Sequence, residues 1–291
     1  MKSHGLMLAV AFASGLSFAA VPPALAQDPV PQNDLLNATL WMENSVEYKA
    51  NSLAMYQLAK IRFDEALADK NRTAATEQTG AYQDLPPAVI LDADETVIDN
   101  GPYESWLVVS GGEFGSETWD AWVKSEKAEA VPGALEFTKY ADSKGVKVFY
   151  VTNRSADQED ATRKNMEALG FPMGGNVDTF LMGREKEDWT SKKSTRRAFV
   201  AKDYRILLLV GDNYGDFSDD YSKSEAERHA SLEANMAHVG HDWIFIANPE
   251  YGSFESAPFG GDFKMPADAR RKLKIEALPA WSGPSRTWWP R

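Results

Sequence analysis

The chain has 291 residues, of which 43% are hydrophobic and 25% charged, a composition typical of a globular protein with a full core. Its formal net charge of −12 argues against nucleic-acid polymers and anionic membranes as partners. It contains no cysteine, which excludes disulfides and a lipid-modified cysteine.

Residues 1–26 predict a secretory signal peptide. Lys2 supplies a short positive start, residues 6–20 are apolar and small, and Ala24-Leu25-Ala26 matches an A-x-A cleavage site. The segment is too short and wrongly flanked for a membrane span. We therefore expect a secreted, periplasmic protein that is soluble and has no membrane anchor after cleavage.

Residues 27–85 are predicted to form a linker and a helical segment ahead of the main domain. The linker contains prolines, and a helix is predicted from Thr39 to about Lys70. Apolar residues spaced by three and four positions predict its buried stripe, which comprises Val46, Ala50, Leu53, Ala54, Leu58 and Ile61.

Residues 86–291 alternate between short apolar runs and helical patterns. The strand-like runs are Ala88–Leu91, Val146–Val151, Asp178–Met182, Arg205–Val210 and Trp243–Ala247. Helical composition lies between them, around residues 133–144, 156–169, 191–202 and 224–239. This alternation predicts an α/β fold, a Rossmann-like parallel sheet with helices on both faces. An aromatic-rich interval, about residues 101–132, is predicted to be an insertion over the sheet edge.

Polar residues follow several of these runs, at the strand ends where such folds bind ligands. Asp92 and Asp94 follow the first run, Thr152 and Asn153 the second, and Asp212 and Asp216 the fourth. A basic segment, residues 192–197, precedes the fourth run.

These residue types suit phosphoryl chemistry. One of the two neighbouring carboxylates, Asp92 and Asp94, could attack an electrophile while the other protonates the departing oxygen and later activates water. Asp212 could join Asp92 around Mg²⁺, which prefers one or two carboxylates plus water and phosphate oxygens. The remaining phosphoryl oxygens could bind Thr152, the backbone N–H of Asn153, and Lys193.

Several motifs carry a family resemblance. The segments "LDADET", "VTNR" and "GDNYGD", with the lysine between the last two, resemble the four motifs of the haloacid dehalogenase superfamily. More narrowly, the chain resembles the class C bacterial acid phosphatases, which include lipoprotein acid phosphatases with 5′-nucleotidase activity. The similarity covers nearly all of the mature chain and includes "TLWMENSVEYKANSLAMYQLA", "AVILDADETVIDNGPY", "TWDAWV", "VPGALEF", "VFYVTNR", "LLLVGDNYGDF" and "NPEYGS".

The resemblance implies a fold and a role for each motif residue. It implies a haloacid dehalogenase-like core, with a small helical cap built from the N-terminal helix and the insertion. Asp92 would be the nucleophile and Asp94 the general acid and base. Mg²⁺ would bind the Asp92 carboxylate, the Asp94 backbone carbonyl and Asp212.

The same resemblance implies which residues bind phosphate and which support the metal. Phosphate would bind Thr152, Asn153 and Lys193, and Asp216 would support the metal through water or orient Lys193. The neighbouring Lys192 competes for this role, and the family pattern favours Lys193 because an arginine, Arg196, stands three residues later. The lipoprotein members carry a cysteine that this chain lacks, so lipid anchoring does not carry over.

Three aromatic residues are candidates for binding the leaving group. Tyr103 and Trp122 lie in the insertion and Tyr251 follows the fifth run, in stretches that match the family. Family members recognise nucleosides by stacking, so the resemblance implies 5′-nucleotides among the substrates. The alternative is that these rings pack the insertion onto the sheet.

The sequence disfavours two other interpretations and leaves two open. A dehalogenase is disfavoured because halide release needs no proton, whereas the second carboxylate supplies one. A calcium-binding EF-hand fails because the glycine and glutamate positions do not match. A phosphotransferase using the same aspartyl-phosphate and a non-catalytic periplasmic carrier of phosphorylated ligands both stay open. The sequence determines neither the physiological phosphomonoester nor the oligomeric state.

Overall fold

The computed structural model describes residues 32–281. The strands are β1 (Pro87–Leu91), β2 (Ile98–Asp99), β3 (Glu129–Ala130), β4 (Lys147–Ser155), β5 (Phe180–Gly183), β6 (Arg205–Gly211) and β7 (Trp243–Phe245). The helices are α1 (Leu36–Asn44), α2 (Val46–Ala68), α3 (Gly101–Ser110), α4 (Ser116–Lys124), α5 (Ala134–Ser143), α6 (Glu159–Leu169), α7 (Ser194–Ala201), α8 (Glu225–Ala234), α9 (Ser253–Ser256) and α10 (Ala267–Glu276).

Five parallel strands form the main sheet in the order β5-β4-β1-β6-β7. All five predicted strand-like runs lie in it, and the predicted α/β fold with a parallel sheet is confirmed. β1 occupies the centre, and β4 and β6 flank it. Because the chain runs from β1 towards one edge and later returns to its other side, β1 lies at the switch point where such sheets bind ligands.

Both faces of the sheet are covered. In β1, Val89 and Leu91 pack into a cluster with side chains of α2, α5 and α6, whereas Ala88 and Ile90 face the opposite cluster, which includes Val200 of α7. Residues two apart on a strand share a face. Apolar burial on both sides therefore explains why β1 and β6 are uninterrupted apolar runs.

The N-terminal helical segment differs from its prediction in two ways. It is two helices, because Ser45 leaves the helical conformation and its hydroxyl caps α2 by accepting the N–H of Tyr48. The predicted stripe is also wrong: Val46 is 75% and Ile61 57% exposed. The buried face of α2 is instead formed by Tyr48, Ser52, Tyr56, Ala59, Phe63 and Ala66.

The physical reason is that α2 carries apolar residues all round, so periodicity alone cannot select the face. Contact with the sheet and α5 selects the one with small residues and aromatic rings, where Phe63 meets Phe137 edge-on. In this segment, α1 packs against α3 of the insertion and Asn33 donates to Leu107 O of α3, whereas α2 covers the sheet. The helical contribution to a cap therefore comes from α1 and the insertion.

The insertion is a folded unit attached by a short antiparallel ribbon. β2, just before the insertion, pairs with β3, near its end, with Ile98 opposite Ala130. Between them, α3 and α4 share an aromatic cluster formed by Tyr103, Trp106, Phe114 and Trp119. The ribbon joins both ends of the insertion at one place beside the end of β1.

Helices capable of crossing a membrane are absent between residues 32 and 281. The predicted signal peptide, residues 1–26, lies outside the described residues.

Truncating a buried ring on the observed face of α2 should destabilise the protein, whereas truncating the predicted face should not. Phe63→Ala should lower the free energy of unfolding by about 3–5 kcal/mol, because it leaves a cavity against the sheet. Ile61→Ala is the matched control, and we expect a change within about 0.5 kcal/mol because its side chain faces solvent. Urea unfolding measures both, and comparable losses would contradict the observed orientation of α2.

Candidate active site

The carboxyl end of β1 brings the first pair of acidic residues to the switch point. Asp92 follows Leu91 directly, and its N–H still donates to Val210 O of β6, at 3.0 Å. The chain then turns back, and Glu95 adopts a left-handed backbone with φ of 53°. The Asp92 carboxylate is thereby held by the sheet itself rather than by a long loop.

Lys193 contacts carboxylates from both the first and the last motif. Its Nζ lies 2.6 Å from Asp92 Oδ1 and 2.6 Å from Asp216 Oδ1, and the residue is buried. Lys193 stands immediately before α7, where its backbone caps the helix. Lys192 is exposed, so this geometry distinguishes the two neighbouring lysines.

Asp212 completes a cluster of three carboxylates. One oxygen from each of Asp92, Asp212 and Asp216 lies within 4.8 Å of the others. Asp212 is oriented by Thr96, whose hydroxyl lies 3.3 Å from Oδ1, and by Asn248, whose amide donates to Oδ2 at 2.8 Å. Closely spaced carboxylate oxygens suit a hard divalent cation.

Burial dominates the electrostatics of this cluster. Burial raises the pKa of Asp92 to about 7; Lys193 opposes the rise, and Asp216 and Asp94 add to it. Burial, followed by the charges of Asp216 and Asp92, holds the pKa of Asp212 well above its usual range. For Lys193, burial alone would lower the pKa, but Asp216 and Asp92 raise it overall. The carboxylates therefore lack enough positive charge nearby, and a cation would supply it.

Gly211 makes room for Asp216. A Cβ built on Gly211 would lie 2.3 Å from Asp216 Oδ2, so any other residue here would displace that carboxylate. The turn is closed by Asn213, whose N–H donates to Asp216 Oδ2 at 2.9 Å. The spacing of "GDNYGD" thus serves to fold Asp216 back over the end of β6.

Thr152 and Asn153 lie where the strand ladder is interrupted. β4 pairs with β5 at Val151 and again at Ser155, and the register shifts between them. The buried Arg196 fixes this stretch, because it donates to Thr152 O and to Asn153 Oδ1, the latter at 2.6 Å. Backbone groups that leave a ladder are available to bind a ligand.

Asp94 faces a different set of partners from Asp92. Its Oδ1 lies 2.7 Å from Arg154 Nη2 and accepts from Asn100 Nδ2 at 2.9 Å. Thr152 Oγ1 lies 3.3 Å from the other oxygen, Oδ2. The two neighbouring aspartates therefore have separate surroundings, a lysine with carboxylates for one and an arginine with an amide for the other.

The sequence pattern of the HAD superfamily, subfamily IIIB (acid phosphatase), matches residues 12–254 of this chain. The chain belongs to this family. It superimposes on a solved class C acid phosphatase from Bacillus anthracis with a TM-score of 0.75 and 33% identity, covering 85% of this chain and 97% of that one. A second structure of that enzyme, with tungstate bound, matches equally well. The resemblance noted in the sequence is confirmed.

Plant relatives match over shorter stretches. Acid phosphatase 1 of Solanum lycopersicum is 31% identical over 130 residues, 44% of this chain and 50% of that protein. The stem 31 kDa glycoprotein of Glycine max is 27% identical over 150 residues, 50% of this chain and 57% of that protein. This chain thus spans about half the length of these relatives. The family and its solved member support an enzyme of the phosphoric monoester hydrolase class.

The three aromatic candidates of this acid phosphatase family member lie in different settings. Tyr103 is 3% exposed, and the insertion's aromatic cluster encloses its ring. Trp122 is half-buried, packs against the core, and donates its indole N–H to Asn100 Oδ1 at 2.8 Å. Tyr251 is half-buried in the segment after β7, three residues beyond Asn248. Tyr103 and Trp122 thus have packing or hydrogen-bonding partners within the protein.

The sequence pattern does not assign several residues around this candidate site. Arg154 is the last letter of "VTNR", Asn100 lies in "VIDNGPY", and Asn248 lies in "NPEYGS". Each stands in a family-like stretch, so the signal was present, but the pattern does not show which carboxylate each would contact. Arg196 distinguishes the two lysines in the sequence pattern, but the pattern does not show its contacts with Thr152 and Asn153.

Without divalent cations, the stability of this protein should fall with rising pH. The pKa of Asp92 is raised from 3.8 to about 7, so the folded state holds its proton more tightly than the unfolded state does. The contribution of Asp92 to the free energy of unfolding is complete below its pKa in the unfolded state. It is lost as the pH rises through its folded-state pKa of about 7. Asp92→Asn cannot titrate and should flatten the profile, whereas Asp84→Asn, at an exposed side chain, should not. The free energy of unfolding is measured against pH by urea unfolding in chelator. Parallel curves for the wild type, Asp92→Asn and Asp84→Asn would refute the predicted contribution of Asp92.

Proposed function

We propose that this chain is a Mg²⁺-dependent acid phosphatase that hydrolyses phosphomonoesters through an aspartyl-phosphate on Asp92. One observation carries the proposal: Lys193 Nζ bridges Asp92 and Asp216, with Asp212 beside them, at the switch point of the sheet. The Asp92 carboxylate, the proposed nucleophile, thus lies beside the Lys193 ammonium and beside carboxylate oxygens that could bind a cation. Family membership and the solved class C relative support the reaction class.

The residues divide the reaction into two balanced steps. The Asp92 carboxylate attacks phosphorus, the bond to the leaving oxygen breaks, and Asp94 donates a proton to that oxygen. Asp94 then takes a proton from water, whose oxygen attacks phosphorus and releases phosphate from Asp92. Their separate surroundings, with Lys193 beside Asp92 and Arg154 beside Asp94, support unequal roles for the two carboxyl groups.

Thr152, the backbone N–H of Asn153, and Lys193 would bind the phosphoryl oxygens. The Thr152 hydroxyl lies in the interrupted part of the ladder, and Lys193 is already beside the attacking carboxylate. Tungstate is a tetrahedral oxyanion like phosphate, and its presence in a structure of the class C relative supports oxyanion binding by this fold.

Asp92, Asp212 and the Asp94 backbone carbonyl would hold Mg²⁺, with Asp216 in support. The donor set fits this cation, because it is made of hard oxygens and includes two carboxylates whose pKa burial raises. When bound, Mg²⁺ offsets negative charge on the phosphoryl oxygens. Asp216 contacts Lys193 directly, which supports its role in orienting the lysine.

The physiological setting belongs to the same proposal. Residues 1–26 would direct export, and the mature enzyme would act in the periplasm on small phosphomonoesters, including 5′-nucleotides. Of the aromatic candidates for stacking on a base, Tyr251 is favoured because Tyr103 and Trp122 are engaged within the protein.

Removal of the nucleophile or of the cation should abolish turnover. Excess chelator should stop phosphate release and Mg²⁺ should restore it, because phosphate must enter a site of several carboxylates. Asp92→Asn should eliminate release with the fold retained, whereas Asp84→Asn, on the surface, should behave as wild type. A phosphate assay with p-nitrophenyl phosphate tests this. Intact ligand returned by the wild-type protein would indicate a carrier, and full activity in chelator would refute the metal requirement.

Tyr251→Ala should selectively weaken the use of 5′-nucleotides. Base–aromatic stacking is worth roughly 1–3 kcal/mol, so kcat/KM for 5′-nucleotides should fall about ten-fold or more. Small phosphates without a ring should be nearly unaffected, and Tyr251→Phe, which keeps the ring, should retain wild-type values. A uniform loss across both substrate classes with a lower Tm would instead identify Tyr251 as a packing residue.

A further inference from the structure

A continuous chain of side-chain hydrogen bonds links the insertion to Asp94. Trp122 of α4 donates Nε1–H to Asn100 Oδ1 at 2.8 Å, and Asn100 donates Nδ2–H to Asp94 Oδ1 at 2.9 Å. Arg154 contacts both acceptors, with Nη2 3.0 Å from Asn100 Oδ1 and 2.7 Å from Asp94 Oδ1. Asn100 is fully buried, so water does not compete for these bonds.

The chemistry of the partners determines the orientation of Asn100. Its Oδ1 faces Trp122 Nε1 and Arg154 Nη2, which can only donate, so the amide cannot be flipped without placing donors against donors. Its Nδ2 consequently faces Asp94 and also Glu95 Oε1, at 3.0 Å. Trp122 and Arg154 together therefore select the one orientation of Asn100 that donates to Asp94.

Arg154 has little freedom to adopt another arrangement. Its side chain is 1% exposed, Nε donates to Asp94 Oδ1 at 2.9 Å, and Nη1 donates to Thr162 Oγ1 at 3.1 Å. The ring of Trp119, also on α4, lies 5.4 Å from the guanidinium carbon. Because all three nitrogens of the planar guanidinium make hydrogen bonds, Arg154 fixes the position of the Asp94 carboxylate.

The two oxygens of Asp94 are consequently unequal. Oδ1 accepts N–H groups from Arg154 Nε, Arg154 Nη2 and Asn100 Nδ2, which leaves no room for a proton. Oδ2 has only the hydroxyl of Thr152 nearby, at 3.3 Å. The transferable proton therefore belongs on Oδ2, the oxygen on the side of the phosphate-binding residue.

We propose that Trp122, Asn100 and Arg154 are positioning residues that aim Oδ2 of Asp94 at the leaving oxygen, so that the insertion helix α4 sets the geometry of proton transfer. The inference rests on the proposed function and deepens it, because it gives Trp122 a role through Asp94 rather than through contact with the leaving group. After Oδ2 gives its proton to the leaving oxygen, the Arg154 charge stabilises the resulting carboxylate. That carboxylate then accepts a proton from the attacking water.

Trp122→Phe tests the role of the indole N–H. It keeps an aromatic ring but removes the donor to Asn100, so kcat for alkyl phosphates should fall about ten-fold, the size expected for losing one hydrogen bond to a buried group. Hydrolysis of p-nitrophenyl phosphate, whose leaving group departs without a proton, should change by less than about two-fold. Trp106→Phe is the matched control, because Trp106 lies in the same insertion, is 48% exposed, and is outside the chain of hydrogen bonds.

A double-mutant cycle with Asp94→Asn separates positioning from packing. Using phenyl phosphate, Trp122→Phe should lower kcat several-fold in the wild-type background and hardly at all when Asp94 is already Asn. Arg154→Lys keeps the positive charge but loses the forked guanidinium. It should likewise lower kcat more for alkyl phosphates than for p-nitrophenyl phosphate. KM and Tm should remain close to wild type for Trp122→Phe.

Two different outcomes would overturn the inference. Equal losses for alkyl phosphates and p-nitrophenyl phosphate, additive with Asp94→Asn and accompanied by a lower Tm, would make Trp122 a packing residue and leave the phosphatase activity intact. Absence of any metal-dependent phosphate release by the wild-type protein would refute the proposed function and this inference together.

Discussion

The contact of one lysine with two buried carboxylates is the constraint on which the site depends. Asp92 is held at the end of the central strand, where burial favours its neutral form, and Lys193 Nζ lies 2.6 Å from it. The same ammonium contacts Asp216, whose backbone carbonyl in turn accepts from Arg197. Buried charges require such partners, since an unpaired one is costly. One ammonium among three carboxylates nevertheless leaves negative charge uncompensated, and this residual charge explains why the site suits a cation.

Strand order determines how these groups meet. Because β4 and β6 flank β1, the residues that follow these three strands converge although they are far apart in the chain. The parallel arrangement brings Asp92, Thr152 and Asp212 to the same edge, and apolar packing on both faces keeps that edge rigid. Positioning on strands rather than on long loops suits the proposed phosphoryl transfer, because the attacking carboxylate must be held close to phosphorus and in line with the leaving oxygen.

The insertion adds a second level of control. Asp92 and Asp94 are only two residues apart, yet the first belongs to the sheet and the second is connected through Asn100 to α4. A carboxyl group used for proton transfer, as proposed for Asp94, needs its geometry fixed, and Asn100 and Trp122 supply hydrogen bonds that fix it. The β2–β3 ribbon anchors both ends of the insertion close to Asp94, and the Trp122–Asn100 hydrogen bond adds a second connection from α4.

Some features were readable from the sequence because they depend on local order. Uninterrupted apolar runs predicted the strands, and polar residues directly after them predicted Asp92, Thr152 and Asp212 as a site, since parallel strands end at one edge. Lys193 came instead from the basic segment before a helix and from the family pattern. The buried face of α2 was predicted wrongly, because a helix that is apolar on several sides takes its orientation from the sheet and α5, not from its own periodicity. The partners of Asp94, the orientation of Asn100 and the fold-back of Asp216 onto Gly211 likewise depend on contacts between distant segments. The sequence by itself thus determined which residues gather at the end of β1, and only the tertiary structure decided which atom of each faces which partner, because hydrogen-bond directions are set by packing in three dimensions.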